Sequence, residues 1–476
     1  MTKAELDRDQ LTSIIDKLYP DLEQALIKLL SIPSVDEPPV AGAPFGQPIG
    51  EALDYCLSLG RSLGFTVTNA HGYCGIIDWP GLSENQVGIL AHLDVVPAIA
   101  TDWRHHPWQA EIDQGNLYGR GATDNKGPLI ANLFAMKALA EMGLRLPKTV
   151  RLIAGCNEEK GFRCIEHYLA NYPPPDCGFA PDASFPAIYG EKGMIHWDFC
   201  GEWPVYAEQG LQLISFSGGE ANNIVPAKAR VCFTADQAGY ALLQNAVANS
   251  PQREQLAFHK ENGLIIITAS GIAAHASTPQ LGNNAVTMLL RFLSGLPFAP
   301  TGAAAFIAKL NKLYADDCAG STLGIQASDI YSNLTAVPSI IEIADGAGKL
   351  TTDCRFPVTH TVADYQRKIT LIAQNEGLRL SNLQSKEPLF LPADSPIVRA
   401  LLNIYQSYTG DLSAPLVSGG GTYARTMKNF IAFGAEFPGE NCRIHQSDEF
   451  ISCDQLRKLT GIYAEAIFAL AYLPQL

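Results

Sequence analysis

The chain has 476 residues, of which 47% are hydrophobic and 17% are charged, and its net charge is −14 at pH 7. This length exceeds that of one ordinary domain, and the composition is that of a globular protein rather than a disordered one. The negative charge argues against nucleic acid or an anionic membrane surface as a partner, because both bind basic surfaces.

Two further compositional features predict the compartment. No apolar run approaches the roughly 20 residues of a membrane span, and the first residues lack the apolar core of a signal peptide. The 11 cysteines include no Cys-x-x-Cys pair, which indicates reduced and mostly buried thiols. We therefore expect a cytoplasmic protein.

Helix and strand patterns alternate along the first third of the chain. Apolar residues at helical spacing predict a helix over 11–32, and an apolar run predicts a strand over 86–97. A second helix is predicted over 127–143 and a second strand over 148–159. This order predicts a β-sheet flanked by helices, and ligands of such sheets gather at the carboxyl ends of the strands.

Polar residues follow both predicted strands at these ends. His92 and Asp94 end the first strand, and the adjacent Glu158 and Glu159 end the second. Asp94 lies two residues beyond His92, so it is placed to accept the second N–H of the imidazole. The alternative for the two glutamates is a solvated loop, because Glu is by default a surface residue.

Three more residues have carboxylate or imidazole side chains that could bind a metal ion. Asp124 lies in a Gly- and Asn-rich turn before the second helix, Asp182 follows a proline-rich segment, and His445 lies in a polar stretch. Each has a structural alternative: Asp124 or Asn125 as a helix N-cap, Asp182 as a turn residue, and His445 as an ordinary histidine. Together, the imidazoles and carboxylates form an N/O ligand set that suits Zn²⁺, Mn²⁺ or Co²⁺.

Six segments then resemble the motif series of the co-catalytic dizinc exopeptidases, which include aminoacylases, succinyl-diaminopimelate desuccinylase and glutamate carboxypeptidases. The segments are "HLDVVP", "GRGATDNKGP", "NEEKG", "APDASFP", "GIAAHASTPQLGNNA" and "IHQSDEF". The segments "GGGTYAR" and "NNIVP" are most similar to bacterial dipeptidases of the peptidase V type. The resemblance extends from about residue 10 to the C-terminus.

The resemblance implies two divalent metal ions per chain, with Zn²⁺ as the first expectation and Mn²⁺ or Co²⁺ as alternatives. His92 and Asp182 would hold one ion, Glu159 and His445 would hold the other, and Asp124 would bridge the two.

The same resemblance implies roles for two neighbours of these ligands. Glu158 would be the general base that accepts a proton from the attacking water. The Asp124–Asn125 peptide would be cis. Many relatives have Asp at the position of Asn125, and we interpret this difference as tolerated because the role there is mainly backbone geometry.

The middle of the chain has a different pattern. Short strands are predicted over 210–219, 229–235, 263–271, 328–337 and 348–357, with helices between them. This predicts an inserted α+β domain at 190–385 within a catalytic domain formed by 1–189 and 386–476. The resemblance suggests that the insert is a doubled lid domain, which predicts a monomer that supplies every catalytic residue from one chain.

The resemblance also assigns residues outside the metal ligands. His275 would donate to the tetrahedral oxyanion, together with Asn223 and Arg355. Arg355 has an equal alternative, which is a structural ion pair with Asp353. The backbone N–H groups of the glycine-rich loop 418–425 would bind the terminal carboxylate of the substrate, and the residues assigned to this role are Gly420, Gly421, Thr422 and Arg425.

Three functions are compatible with these residues. The first is a dipeptidase acting on short peptides with a free amino terminus, and the second is a deacylase or desuccinylase acting on N-acyl amino acids. The third is a non-catalytic metal- or peptide-binding relative. Retention of Glu158 with all five ligand positions counts against the third.

Overall fold

The computed structural model describes residues 6–205, 211–297, 302–314 and 318–474. The chain divides into two compact units, each with its own hydrophobic core: unit 1 comprises Met1–Gly190 and Leu389–Leu476, and unit 2 comprises Glu191–Pro388. The boundaries predicted from the sequence, 189/190 and 385/386, lie within three residues of these divisions.

The described residues form ten α-helices and four short 3₁₀ turns. The helices are α1 (Arg8–Leu30), α2 (Gln47–Ser62), α3 (Lys126–Glu141), α4 (Arg163–Asn171), α5 (Gln237–Ala248), α6 (Ala285–Ser294), α7 (Gly302–Tyr314), α8 (Val362–Glu376), α9 (Pro396–Thr409) and α10 (Cys453–Tyr472). The 3₁₀ turns are Ala100–Asp102, Arg253–Gln255, Pro279–Leu281 and Tyr423–Thr426.

The strands are β1 (Thr66–Ala70), β2 (Cys74–Trp79), β3 (Ser83–His92), β4 (Glu111–Asp113), β5 (Asn116–Tyr118), β6 (Lys148–Gly155), β7 (Cys177–Ala180), β8 (Ala183–Ser184), β9 (Ile188–Glu191), β10 (Gly193–Glu202), β11 (Gln212–Gly218), β12 (Ile224–Val225), β13 (Lys228–Thr234), β14 (Leu256–Glu261), β15 (Leu264–Ser270), β16 (Ala274–His275), β17 (Thr335–Ala344), β18 (Ala347–Phe356), β19 (Arg379–Lys386), β20 (Leu389–Phe390), β21 (Leu416–Ser418), β22 (Phe430–Ala432), β23 (Ala435–Glu436) and β24 (Phe450–Ser452).

Unit 1 is built on one mixed sheet. Its strands follow the order β1-β2-β6-β3-β7-β22-β9-β20, and β21 pairs with β9. The central strands β6, β3, β7 and β22 are parallel, whereas β2 and β9 pair antiparallel with their neighbours. The predicted mixed α/β architecture with flanking helices is confirmed.

Helix α3 is the central helix of unit 1. It is apolar around most of its circumference, and its buried residues extend from Lys126 to Leu139. A helix with this composition is stable only when other elements cover all its sides. Helices α1 and α10 pack against α3, and both α3 and α10 contact β3 and β6. The N-terminus of α3 is thereby fixed beside the central strands.

The strand register brings the predicted site residues to one edge of the sheet. His92 at the end of β3 is paired with Gly155 at the end of β6, and Ile89 of β3 is paired with Phe179 of β7. Because the three strands are parallel, the segments after them begin at the same edge. Those segments carry the candidate glutamates and Asp182.

Strands β3 and β7 approach closely where both have glycine. A Cβ atom at Gly178 would lie 1.9 Å from the carbonyl oxygen of Gly88. No side chain fits at that separation, so the register between these strands depends on glycine at position 178.

Unit 2 has an antiparallel sheet of eight strands in the order β14-β15-β13-β11-β17-β18-β10-β19. Helices α5 and α6 contact strands of the first half, α6 also contacts β17, and α7 and α8 contact strands of the second half. Each half therefore has four strands and two associated helices.

One predicted strand of unit 2 is wrong over most of its length. Of the segment 328–337, only the last three residues belong to a strand, because β17 begins at Thr335. The carboxylate of Asp329 accepts the backbone N–H groups of Tyr331 and Ser332 at 2.8 and 2.7 Å, which forms a local turn. The strand predicted over 210–219 is β11, and its first residue lies outside the described residues.

The cysteines agree with the sequence analysis. Nine of the 11 are buried, Cys453 is half-buried and Cys318 is exposed. In the described part of the chain, none of the helices combines the length and the apolar character that crossing a membrane requires.

Candidate active site

The ends of β3, β6 and β7 and two loops of unit 1 form one polar cluster. His92 is 1% exposed, and its Nε2 lies 2.9 Å from Asp124 Oδ1 and 3.6 Å from Asp182 Oδ1. The other carboxylate oxygen of Asp124 lies 3.0 Å from His445 Nε2, which is also 3.2 Å from Glu159 Oε1. The Asp124 carboxylate therefore lies between two imidazoles.

The ligand atoms of this cluster are close enough to share metal ions. His92, Glu158 and Asp182 offer atoms within 4.8 Å of one another, and so do His92, Asp124 and Glu159. The structure thus brings together Glu158 and four of the five predicted ligands. The fifth, His445, contacts both Asp124 and Glu159.

The pKa values show that the cluster has an excess of negative charge. Burial raises the pKa of Glu158 well above its usual value, and the Asp182 carboxylate adds to this effect. Burial, followed by the Asp124 carboxylate, raises the pKa of Glu159 to about 7. Such shifts arise when buried carboxylates lack enough positive charge. Divalent cations would supply that charge, so the donor set fits the metal ions that the family resemblance implies.

The pKa values of the two imidazoles are also raised, although burial acts on them in the opposite direction. Burial alone would lower the pKa of His445, but Asp124 and Glu159 raise it to about 11. Burial would likewise lower the pKa of His92, but the Asp182 and Asp124 carboxylates raise it well above its usual value. The imidazolium charges partly compensate the carboxylates.

The solvated-loop interpretation of the two glutamates is wrong. The side chain of Glu159 is only 12% exposed. The Asp94 carboxylate accepts the backbone N–H groups of Glu158 and Glu159 at 3.0 and 3.1 Å. These hydrogen bonds fix the turn after β6, so that two adjacent carboxylates are held in defined positions.

The expected contact between Asp94 and His92 needs a correction. The closest acceptor for His92 Nδ1 is the backbone carbonyl of Asp94, at 2.8 Å, whereas the Asp94 carboxylate is 3.6 Å away. The carboxylate is already engaged by the two backbone N–H groups that follow β6. Asp94 therefore orients His92 through its backbone and the glutamates through its side chain.

The interpretation of Asn125 as mainly a backbone position is incomplete. The Asp124–Asn125 peptide is cis, as the resemblance implies. The fully buried Asn125 side chain accepts the backbone N–H of His92 at 3.2 Å and donates to the carbonyl oxygen of Pro181 at 2.5 Å. It makes no N-cap hydrogen bond to α3. The amide both accepts and donates here, so Asn125 links the segments that carry His92 and Asp182.

Glu449 is a site residue that the sequence analysis missed. It is completely buried, and one of its oxygens accepts the N–H groups of Thr123 and Asp124 at 3.0 and 3.1 Å. The other accepts from the Arg120 guanidinium at 2.7 Å and from the backbone of Gly121 at 3.1 Å. Glu449 therefore holds the loop that presents Asp124. Its position, four residues after the candidate ligand His445, is the sequence feature that could have indicated a role in the site.

The glycine-rich loop lies in unit 1, and several of its polar groups have partners within the loop. The N–H of Gly420 donates to the Ser418 hydroxyl at 3.0 Å, and Arg425 donates to the carbonyl oxygen of Gly420 at 3.1 Å. A Cβ atom at Gly421 would lie 2.3 Å from the Arg425 guanidinium, so the arginine folds over this glycine. Thr422 accepts the N–H of Ala424 at 3.1 Å.

The next residue of that loop, Tyr423, was also missed. Its hydroxyl lies 2.7 Å from Cys164 Sγ, and its ring lies 6.3 Å from the His92 ring. A Cβ atom at Gly155 would lie 2.4 Å from the Tyr423 hydroxyl. Tyr423 therefore packs against the paired ends of β3 and β6.

The remaining candidates lie in unit 2. The pairing of β12 with β16 places Ile224 opposite His275, and the N–H of Ala276 donates to the carbonyl oxygen of Asn223 at 2.8 Å. Asn223 and His275 are therefore neighbours. Burial, followed by the charge of Arg355, lowers the pKa of His275, which places Arg355 close to this pair.

The contacts of His275 favour one tautomer. Its Nδ1 lies 2.7 Å from the Ser277 hydroxyl and 3.3 Å from the backbone nitrogen of Ser277. Because a backbone N–H can only donate, Nδ1 acts as the acceptor and the proton resides on Nε2. A neutral imidazole with a free Nε2–H is suited to donate to an oxyanion.

Arg355 makes the ion pair that was one of its two alternatives. It is 4% exposed, and its Nε and NH2 groups lie 2.7 Å from the two oxygens of Asp353. Asp353 also lies 2.7 Å from His196 Nε2. This pairing fixes the plane of the guanidinium.

Comparison with known proteins identifies the family. The model of Peptidase family M20/M25/M40 matches residues 88–469. The chain belongs to this family. It is a peptide hydrolase, and the family predicted from the six sequence motifs is confirmed.

Relatives of this M20 peptidase cover its whole length. It is 35% identical over 458 residues to a Bacillus subtilis protein named "Putative dipeptidase YtjP", an alignment that covers 95% of this chain and 97% of the relative. The fold resembles that of a Sulfolobus solfataricus M20 family metallo-carboxypeptidase, with a TM-score of 0.59 and 17% identity over 95% of this chain and 100% of the other. Human carnosine dipeptidase 1 gives a TM-score of 0.57 with 15% identity, over 99% and 100% of the chains.

The Glu449 contacts generate a prediction about metal binding. In Glu449→Gln, only the amide oxygen can accept, so one of the two pairs of N–H donors that hold the Asp124 loop loses its acceptor, and we expect about 10- to 100-fold weaker metal affinity. Glu84→Gln is a matched control, because Glu84 is exposed at the opposite end of β3. Metal content after equilibrium dialysis against graded free Zn²⁺ measures the effect. Equal affinity in both variants would show that Glu449 does not position Asp124.

Proposed function

We propose that this M20 peptidase is a metal-dependent dipeptidase that hydrolyses short peptides with a free amino terminus. The observation that carries the proposal is the Asp124 carboxylate, which lies 2.9 Å from one imidazole and 3.0 Å from the other, beside the buried Glu158. The name of the Bacillus subtilis relative supports a dipeptide as the substrate.

The proposed metal ligands divide into two sets that share Asp124. His92 and Asp182 would hold one divalent ion, and Glu159 and His445 would hold the other. Zn²⁺ is our first choice, with Mn²⁺ or Co²⁺ as alternatives, because carboxylates and imidazoles suit all three. A bound metal pair would supply Lewis acidity and lower the pKa of water toward neutrality.

Glu158 is the proposed general base. Its burial and the neighbouring carboxylates favour its protonated form, and cations in the site would shift it toward the ionised form that accepts a proton. Glu158 would take a proton from the attacking water and transfer it to the amine that leaves when the peptide bond breaks. The backbone hydrogen bonds to Asp94 would hold Glu158 in position during both transfers.

Unit 2 would contribute stabilisation of the oxyanion. The Nε2–H of His275 is the proposed donor, together with Asn223 and Arg355, and electrostatic stabilisation of this kind is usually the largest catalytic contribution. The substrate carboxylate would bind to the backbone N–H groups of the glycine-rich loop. The residues proposed for this role are Gly420, Gly421, Thr422 and Arg425. Because Gly420 already donates to Ser418, that hydrogen bond would have to exchange when a substrate binds.

Hydrolysis of N-acyl amino acids is the alternative function. It would use the same ligands and the same base, so the chemistry of the metal cluster does not separate the two. The name of the Bacillus subtilis relative, which describes it as a dipeptidase, favours the first function.

The two adjacent glutamates generate the test of the mechanism. Glu158→Gln removes the proton acceptor, so turnover should fall about 10²- to 10⁴-fold with little change in metal content. Glu159→Gln removes a ligand, so metal affinity should fall and excess metal should partly restore activity. Rates with L-Ala-L-Ala, titrated with metal after chelator treatment, measure both effects. Near-normal turnover of Glu158→Gln would contradict its role as the base.

His275 generates a second test. His275→Ala should lower kcat about 10²- to 10³-fold and leave metal content unchanged, because the side chain stabilises charge and binds no metal. His259→Ala is the control, since His259 is an exposed histidine of the same unit. Loss of metal in His275→Ala would show that this residue is a ligand instead.

The size of unit 2 supports a proposal about the oligomeric state. Its eight-stranded sheet has the size expected of a doubled lid domain, which the resemblance links to a chain that supplies every catalytic residue itself. We therefore propose a monomer that acts in the cytoplasm. Sedimentation equilibrium of the active enzyme should give the mass of one chain, 51.4 kDa. Activity confined to a dimeric species would contradict this proposal.

A further inference from the structure

A carboxylate that has no role among the metal ligands lies at the edge of the active site. Glu436 belongs to β23, which pairs in parallel with β8, and the register places Glu436 opposite Ser184. Strand β8 begins directly after Asp182. The N–H of Ala183 donates to the carbonyl oxygen of Gly434 at 2.7 Å, and the N–H of Phe185 donates to that of Glu436 at 2.8 Å. The backbone of Glu436 is therefore fixed beside the Asp182 segment.

The side chain of Glu436 lies on the site side of this strand pair. Its Oε1 is 3.4 Å from the Ser184 hydroxyl. Side chains two residues apart in an extended segment lie on the same side, so Ser184 and Glu436 share the side from which Asp182 approaches His92. Burial, followed by the Asp124 carboxylate, raises the pKa of Glu436, while the charge of His445 opposes this shift. Glu436 is thus within electrostatic range of the metal cluster.

In the described part of the chain, Glu436 has no cationic partner. Among the described residues, no Lys, Arg or His nitrogen lies within 4.0 Å of its carboxylate, and it belongs to neither group of metal-ligating residues. A half-buried carboxylate beside other carboxylates is unfavourable unless a cation binds it. A ligand that places a positive charge at this point would remove that cost.

A peptide with a free amino terminus has such a charge. Its α-amino group has a pKa near 8 and is largely protonated at neutral pH. The ammonium is attached to the carbon next to the scissile carbonyl, so it must lie close to the metal cluster when that carbonyl is attacked. An N-acyl amino acid has no charge at the corresponding position and would leave Glu436 without a partner.

We propose that Glu436 binds the α-ammonium group of the substrate and thereby selects peptides with a free amino terminus over N-acyl amino acids. This inference rests on the proposed dipeptidase function and names the residue that determines its specificity. Ser184 would orient the carboxylate by donating its hydroxyl hydrogen to Oε1, leaving the other oxygen for the ammonium.

The test uses two substrates that differ only in the amino group. L-Ala-L-Ala and N-propanoyl-L-alanine have the same carbon skeleton, and their ratio of kcat/KM measures recognition of the ammonium. If the propanoyl compound is not hydrolysed, its inhibition constant against L-Ala-L-Ala replaces its kcat/KM. In Glu436→Gln, the preference for L-Ala-L-Ala should fall about 10- to 100-fold, which is the range for a hydrogen bond to a charged group.

Two further variants keep the result interpretable. Glu436→Asp retains the charge and should keep most of the preference. Glu440→Gln changes an exposed glutamate four residues later and should match the wild type. All variants are assayed at saturating metal with metal content measured. An unchanged preference in Glu436→Gln would overturn the proposal, and so would a loss of metal, which would make Glu436 part of the metal site.

The same experiment separates this inference from the proposed function. If the wild-type enzyme hydrolyses N-propanoyl-L-alanine and not L-Ala-L-Ala, the dipeptidase proposal fails, and the assignment of Glu436 fails with it. If the wild type prefers L-Ala-L-Ala and Glu436→Gln retains that preference with its metal, the dipeptidase proposal stands and only the assignment of Glu436 fails.

Discussion

The repulsion among buried carboxylates at the edge of the unit 1 sheet is the constraint on which the site depends. Asp124, Glu158, Glu159 and Asp182 converge there because β3, β6 and β7 are parallel and end together. Two imidazoles compensate this charge only in part, as the raised pKa values of Glu158 and Glu159 show. Bound divalent cations would offset this repulsion, and through them the proposed function connects the sheet topology to hydrolytic chemistry.

Hydrogen bonds from distant parts of the chain hold these carboxylates in place. Asp94 binds the backbone that follows β6, Asn125 joins the His92 and Asp182 segments, and Glu449 binds the loop that carries Asp124. In each case, the side chain of one residue binds backbone groups of a segment that carries a proposed metal ligand. The ligand geometry is therefore set by a buried polar network, and such networks are rigid only when every member has its partners.

The local patterns and the order of the motifs predicted much of this arrangement. Strands β3 and β6 and helix α3 follow from uninterrupted apolar runs, and the family follows from six motifs in sequence order. Contacts between distant residues could not be predicted in this way: Glu449 binds the backbone of Asp124 across 325 positions. The acceptor for His92 also depends on side-chain rotamers that a sequence pattern does not contain. The strand predicted before Thr335 failed because the carboxylate of Asp329 stabilises a turn that apolar content does not reveal.

The proposed hydrolysis depends first on two metal ions that would share the Asp124 carboxylate. Anomalous diffraction from crystals grown with Zn²⁺, measured above and below the zinc absorption edge, tests it directly. We expect two anomalous peaks, one between His92 and Asp182 and one between Glu159 and His445, with Asp124 between them. A single peak, or peaks that do not involve Asp124, would contradict the claim.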